Sequence, residues 1–155
     1  MKRPELLAQY ETQQLKNKLL EFPELIKKQK AILRDLRENL KNASQTMAML
    51  EADLATEIAA EIDPNTGKYK FSNDKARQAE LVRRKMQDPK CQEAAAELKQ
   101  AEYALSEAQD ELEALQDKFK AYRYVARLTA EELALWASEE QEEKIEGVPV
   151  AQQPY

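Results

Sequence analysis

The sequence contains no histidine, only two glycines and a single cysteine among its 155 residues. Without histidine, the chain lacks the commonest general base, the Ser-His and Cys-His nucleophile pairs, and the ligand set of most zinc sites. Its glycines, Gly67 and Gly147, are too far apart to build a phosphate-binding glycine-rich loop. We therefore expect a protein that is not an enzyme, with no catalytic residues, no metal and no cofactor.

Long apolar runs are missing as well. No stretch approaches the roughly 20 apolar residues that cross a bilayer, and charged residues near the N-terminus stand where a signal peptide needs its apolar region. The lone Cys91 cannot form an intramolecular disulfide, and we interpret it as a small apolar residue on a helix. These features predict a cytoplasmic protein with no membrane contact.

Two heptad patterns dominate what is present. Apolar residues recur at alternating spacings of three and four from Ile26 to Leu54, with an interruption at Gln29, and again from Cys91 to Ala126. Such spacing places the apolar groups along one edge of a helix, so the sequence predicts two long helices that pack edge to edge. The residues expected to form this packing seam are Leu33, Leu40, Met47, Leu54, Leu98, Leu105, Leu112, Leu115, Phe119 and Tyr122.

Prolines and turn residues divide the helices. Pro23 is expected to end a first helix, and Pro64, Asn65 and Gly67 form the strong turn signal of the interior. Ser72 or Asn73 would cap a helix bearing a modest apolar stripe of Ala79, Val82 and Met86. Asp88 and Pro89 would start the next helix, and Thr129 with Glu132 would form a capping box for a last one. The predicted helices cover about 4–21, 24–62, 73–88, 89–128 and 130–138.

The predicted fold is therefore all-α. It is a long antiparallel helical hairpin or coiled coil over residues 1–138, with short N- and C-terminal helices, followed by a flexible acidic tail at 139–155. Pairing between chains would show the same heptads, so the pattern leaves open whether the seam closes within one chain or between chains. Because two amphipathic helices alone leave apolar surface exposed, we expect a homo-oligomer.

One basic segment stands out from this helical background. Residues 68–90 carry eight basic and three acidic side chains, whereas residues 129–155 have a net charge of −6. In the loop, basic and aromatic residues alternate, which suits a backbone phosphate beside a stacked base. The candidate nucleic-acid-binding residues are Lys68, Tyr69, Lys70, Phe71, Lys75, Arg77, Arg84 and Lys85. A second basic group, Lys120, Arg123 and Arg127, is explained equally well as helix-stabilising cations near a C-terminus.

The order of a long helix, a loop with Lys68-Tyr69-Lys70, a basic helix and a long last helix resembles UvsY-type recombination mediators of phages. The resemblance covers roughly residues 24–128 and implies an oligomer that binds single-stranded DNA and helps load a recombinase. It also implies that Lys68, Lys70, Lys75 and Arg77 touch phosphates, that Tyr69 or Phe71 stacks on bases, and that the seam from Leu98 to Tyr122 joins subunits. The acidic tail and the Pro23 break depart from that layout.

A different class of function fits the same residues. The chain would then be a coiled-coil scaffold or adaptor that joins proteins through its acidic tail and the helix containing Trp136, with no nucleic-acid contact. Binding to an oligonucleotide separates the two hypotheses, because only the first requires the basic loop.

Overall fold

A computed structural model describes residues 2–147 of the chain. These residues form four α-helices and no strands, and the two long helices pack against each other. The predicted all-α helical hairpin is thereby confirmed. The helices are α1 Arg3–Gln9, α2 Thr12–Ala60, α3 Asp74–Gln87 and α4 Pro89–Glu146. None of the helices within the described range is both long enough and apolar enough to cross a membrane.

The fold divides into two compact units, each of which contains a part of both long helices. One unit comprises residues 28–112 and the other joins residues 2–27 to residues 113–147. The first unit therefore holds most of α2, all of α3 and the beginning of α4. The second holds α1, the beginning of α2 and the rest of α4.

In the unit of residues 28–112, the heptad edges of α2 and α4 face each other. Leu33 is 2% exposed, Ile58 and Cys91 are each 1% exposed, and the other predicted seam residues of this unit are half-buried. Gln29 interrupts the apolar pattern and is nevertheless buried, with its side-chain Nε2 donating a hydrogen bond of 2.9 Å to the Ala108 carbonyl. A buried amide is tolerated there because its polar atom has a partner.

In the other unit, the predicted break at Pro23 is absent. Helix α2 passes through Pro23 and instead begins at Thr12, after a turn in which Glu11 adopts a φ of 48°. Phe22 explains why the helix continues: it is 5% exposed, and its ring centre lies 5.8 Å from that of Phe119 and 5.2 Å from that of Tyr122. Aromatic burial of this kind offsets the hydrogen bond that a proline cannot donate.

The predicted boundary near residue 129 is wrong for a similar reason. Helix α4 continues without interruption to Glu146, so Thr129 caps nothing and residues 139–146 are helical. Tyr122, Ala126, Thr129 and Leu133 follow one another at spacings of four, three and four, and all are half-buried. The seam therefore continues past the capping-box pattern. The remainder of the predicted flexible tail, 148–155, lies outside the described residues.

Helix α1 packs beside the later part of α4. Leu6 and Leu7 line a cavity together with Leu133 and Trp136. A hydrogen bond with the Glu132 carboxylate, aided by burial, raises the pKa of the Tyr10 hydroxyl. Residues near the N-terminus thus cover part of the segment that the sequence had assigned to a separate short C-terminal helix.

The turn between α2 and α3 follows the prediction closely. Gly67 has a φ of 69°, a left-handed conformation that favours glycine, and its N–H donates to the Asp63 carbonyl at 2.8 Å. Asn73 caps α3 by accepting a hydrogen bond of 2.8 Å from the Ala76 N–H. Asp88 precedes α4 and accepts a hydrogen bond of 2.9 Å from the Lys90 N–H. Both predicted caps on either side of α3 are therefore present.

Candidate nucleic-acid interface

The loop between α2 and α3 is tied to the end of α2 by backbone hydrogen bonds. Asp63 donates to the Lys68 carbonyl at 2.8 Å, and Lys70 donates to the Glu61 carbonyl at 2.9 Å. Between these bonds, Ile62 and Tyr69 pair as an isolated antiparallel bridge. Satisfied backbone groups of this kind fix the loop conformation, so the residues it displays have defined positions.

Much of the positive charge behind the loop is paired with carboxylates. Glu61 binds Arg84 and also lies 3.3 Å from the Lys70 ammonium. Glu80 binds Arg84 at 2.7 Å and Arg83 at 2.5 Å. Three cations therefore share two carboxylates in a connected network at the junction of α2, the loop and α3.

The electrostatics of these carboxylates match that geometry. Hydrogen bonds from Arg83 and then Arg84 lower the pKa of Glu80 from 4.5 to about 2, against a smaller opposing effect of desolvation. The pKa of Glu61 is also lowered, chiefly by its hydrogen bond with Arg84. Both carboxylates are therefore held in their charged form, and Arg84, which the sequence had assigned to DNA, contributes to both.

Two further predicted contact residues are engaged inside the fold. The Lys85 ammonium binds the Glu51 carboxylate of α2. Arg77 donates from Nε to the Phe71 carbonyl at 3.0 Å and lies 3.4 Å from the Asp74 carboxylate. These contacts hold α3 and the loop before it in place. Because both cations already have partners within the chain, they are less available to bind a ligand.

Phe71 also faces inward. Its side chain is half-buried, with the Lys70 ammonium 5.6 Å and the Arg84 guanidinium 5.9 Å from its ring centre. At these distances the cations are attracted to the ring face. Phe71 is therefore part of the packing beneath the loop, and its predicted role in stacking on a base is not supported.

Four of the eight candidate residues are exposed, namely Lys68, Tyr69, Lys70 and Lys75, and of these Lys70 is paired with Glu61 although its side chain is 53% exposed. Tyr69 is 63% exposed, and no ion pair involves Lys68 or Lys75 among residues 2–147. Ile62, 55% exposed, lies with Tyr69 along a shallow groove whose other wall is α2. We call Lys68, Tyr69 and Lys75 the loop surface.

The second basic group is less organised. The Arg123 guanidinium lies 5.6 Å from the Phe119 ring centre, and Arg127 lies 3.4 Å from Glu131 one turn along the same helix. Such exposed contacts within one helix contribute little energy and assemble no site.

The sequence interpretation missed Glu51 and Glu61. Glutamates among so many charged residues are ordinarily expected to be solvated. A usable signal was their position, Glu51 in the last three turns of α2 and Glu61 directly after it, before a tight turn into a strongly basic helix. A returning helix brings its cations back over those turns.

No group of three or more potential metal ligands occurs among residues 2–147. The Cys91 thiol is buried, and burial together with the nearby Asp88 raises its pKa, which disfavours the reactive thiolate. No family model matches the sequence, and no curated protein or solved structure shows significant similarity to it. The resemblance to recombination mediators thus stays a prediction.

Proposed function

We propose that this chain is a non-enzymatic, self-associating helical protein that binds single-stranded DNA through the loop surface. The observation that carries this proposal is Tyr69, an aromatic residue left 63% exposed on a hydrogen-bonded loop beside the exposed Lys68. A large exposed ring on a fixed backbone costs little entropy when a base stacks on it. A recombinase partner and a cytoplasmic location stay predictions within the same proposal.

The roles of the eight candidate residues divide accordingly. Lys68 and Lys75 would contact phosphates and Tyr69 would stack on a base. The remaining residues position the loop through their contacts inside the fold. These positioning residues are Lys70, Phe71, Arg77, Arg84 and Lys85.

The small number of free cations sets the expected strength of binding. Each phosphate neutralised on a single strand contributes about 0.7 to the slope of log affinity against log salt, so two lysines supply a slope of about 1.4 per chain. Stacking on Tyr69 adds about 1–3 kcal/mol. One loop surface alone would bind weakly, and an oligomer that displays several of them would bind far more strongly.

The direct test is the fluorescence anisotropy of a labelled oligothymidylate titrated with the protein at several salt concentrations. Lys68→Gln with Lys75→Gln should reduce the salt slope by about 1.4 per chain engaged. The matched control is Lys30→Gln with Lys41→Gln, which removes two exposed lysines from α2 and should leave binding unchanged. Equal losses in both variants would reduce the effect to net charge and contradict the proposal.

Stacking requires its own test. Tyr69→Ala should weaken binding about 5- to 150-fold, the equivalent of about 1–3 kcal/mol, at every salt concentration. Tyr103→Ala is the matched control, because Tyr103 is 65% exposed on α4 in the same unit. If wild-type protein fails to bind at low salt, or if both tyrosine variants bind alike, the loop surface is not a DNA site.

A scaffold function is the second candidate. The observation that favours it is the exposed apolar surface near the end of α4, where Leu135 is 65% exposed and Trp136 is 42% exposed. An oligomer that forms normally and ignores oligonucleotides at low salt would support this candidate over the first.

A further inference from the structure

The groove beside Tyr69 is lined by uncharged and mostly small side chains, although the loop and α3 are strongly basic. Its lining residues are Ala55, Thr56, Ala59 and Ala60 of α2 together with Ile62 and Tyr69 of the loop. The groove offers a space of about 620 Å³, which falls within the range of about 300–1,000 Å³ found for small-molecule sites. We call these six residues the loop groove.

The wall of the loop groove that faces α2 has a fixed position. Ile62 and Tyr69 are directly opposite each other in the antiparallel bridge, so their side chains project from the same face of the loop. The backbone hydrogen bonds on either side of the bridge, of 2.8 and 2.9 Å, hold this pair against the end of α2. The exposed Tyr69 ring is therefore one wall of a groove whose opposite wall is a helix.

The α2 wall has little to offer to a polar group. Ala55, Ala59 and Ala60 present only methyl groups. The Thr56 hydroxyl donates a hydrogen bond of 2.9 Å to the Ala52 carbonyl, so its proton is already used within α2. A polar base edge placed against this wall would give up hydrogen bonds to water without replacement, which is costly, whereas an apolar group would gain from burial. The loop groove therefore suits a flat ring that carries an apolar substituent.

Among the bases of DNA, thymine has such a substituent, its 5-methyl group. We infer that the loop groove holds a thymine, whose ring stacks on Tyr69 and whose methyl group lies against Ala55 and Ala59. The neighbouring Lys68 ammonium would contact a phosphate of the same strand, which favours a nucleotide over a neutral apolar ligand. This inference rests on the proposed function and names the nucleotide that the site prefers.

The size of the preference follows from one methyl group. Burial of a group of this size contributes about 0.8 kcal/mol, so each thymine held in a groove should bind about fourfold more tightly than a uracil in the same place. Because the methyl group is uncharged, this ratio should not change with salt, whereas the phosphate contacts weaken as salt rises. The loop groove would thus distinguish thymine-containing strands from uracil-containing ones.

The first test compares two strands that differ only in that methyl group. An oligothymidylate and an oligodeoxyuridylate of equal length, both labelled, are titrated with the full chain, and fluorescence anisotropy gives the two affinities. The oligothymidylate should bind about fourfold more tightly for each base that a groove holds. Equal affinities, or a ratio that disappears as salt rises, overturn the inference.

A second test locates the methyl group. Ala55→Gln with Ala59→Gln fills the loop groove with longer polar side chains and should make the two affinities equal. Ala31→Gln with Ala48→Gln is the matched control, because it changes two exposed alanines of α2 outside the groove, and it should keep the wild-type ratio. All four positions are exposed and glutamine is a good helix former, so both variants should keep the wild-type circular dichroism.

The outcomes of the second test differ for the two places where a methyl group could act. If the preference survives in the filled groove, the methyl group acts through stacking on the Tyr69 ring, and the inference is overturned. Equal loss of the preference in the control variant overturns it as well.

Failure of the thymine preference is distinguishable from failure of DNA binding. A wild-type protein that binds neither oligonucleotide at low salt has no DNA site, and the proposed function fails together with the preference. A wild-type protein that binds both strands equally well keeps the loop surface as a DNA site and loses only the thymine groove.

Discussion

The buried amide of Gln29 gives a prediction whose size follows from the structure. Gln29 is 7% exposed, and among residues 2–147 no other polar or charged residue is buried. Its hydrogen bond to the Ala108 carbonyl joins α2 to α4 within the unit of residues 28–112. Replacing Gln29 by Ala and by Leu separates the contribution of that bond from the contribution of filling the seam.

The two substitutions should have different signs. Gln29→Ala removes a hydrogen bond contributing about 1 kcal/mol and one buried methylene of about 0.8 kcal/mol, so it should lower the free energy of unfolding by about 2 kcal/mol. Gln29→Leu keeps the seam filled, and the Ala108 carbonyl keeps its acceptor role within α4. We therefore expect Leu to be neutral or stabilising by up to about 1 kcal/mol.

Urea denaturation followed by circular dichroism at 222 nm measures both changes. The midpoint should fall for Gln29→Ala and stay level or rise for Gln29→Leu, with unchanged slopes. A loss in Gln29→Leu as large as that in Gln29→Ala would refute the reasoning. The amide would then contribute through its polarity, and the register of the two helices would depend on it.

Two further predictions concern other features of the fold. Pro23→Ala should raise the thermal midpoint and stabilise the chain by about 2 kcal/mol. Proline costs about 3 kcal/mol inside a helix and returns up to about 1 kcal/mol by restricting the unfolded chain. A lower midpoint would show that Phe22 needs the proline to reach Phe119. The pKa of Glu80 is lowered in the folded chain, so its stabilising contribution is complete above pH 4.5 and disappears as the pH falls towards about 2. Between these pH values the thermal midpoint of Glu80→Gln should therefore decline less steeply than that of the wild type. The control is Glu97→Gln, which changes an exposed glutamate of α4. Equal declines in both variants would contradict the assignment.

Long-range periodicity predicted the fold better than local signals did. The heptads identified both long helices, because continuous burial along one edge is the main source of their stability. The proline at 23 and the capping-box spacing at 129 are local preferences worth about 1–3 kcal/mol. At both places the seam continues through the break, and packing of Phe22 and Leu133 outweighs the local preference.

The candidate site was harder to predict, because its composition does not reveal which charges are already paired. Lys68, Tyr69 and Lys75 had no feature that set them apart from Lys70 and Arg84 in the sequence. The difference lies in Glu51 of α2 and in Glu61 just after it, which bind cations of α3 more than twenty residues away along the chain. The stripe of Ala79, Val82 and Met86 was recognised, but its outward orientation, which leaves all three side chains exposed, follows from the same ion pairs.

Ionic attachment of α3 makes the loop surface sensitive to the solution around it. Salt screens half-exposed ion pairs such as those of Lys85 and Arg84, and it also competes for phosphates. A salt titration of DNA binding would therefore combine counterion release with partial loosening of the helix that anchors the binding residues. Hydrogen exchange of the α3 amides, followed over the same salt series without DNA, would distinguish the two contributions.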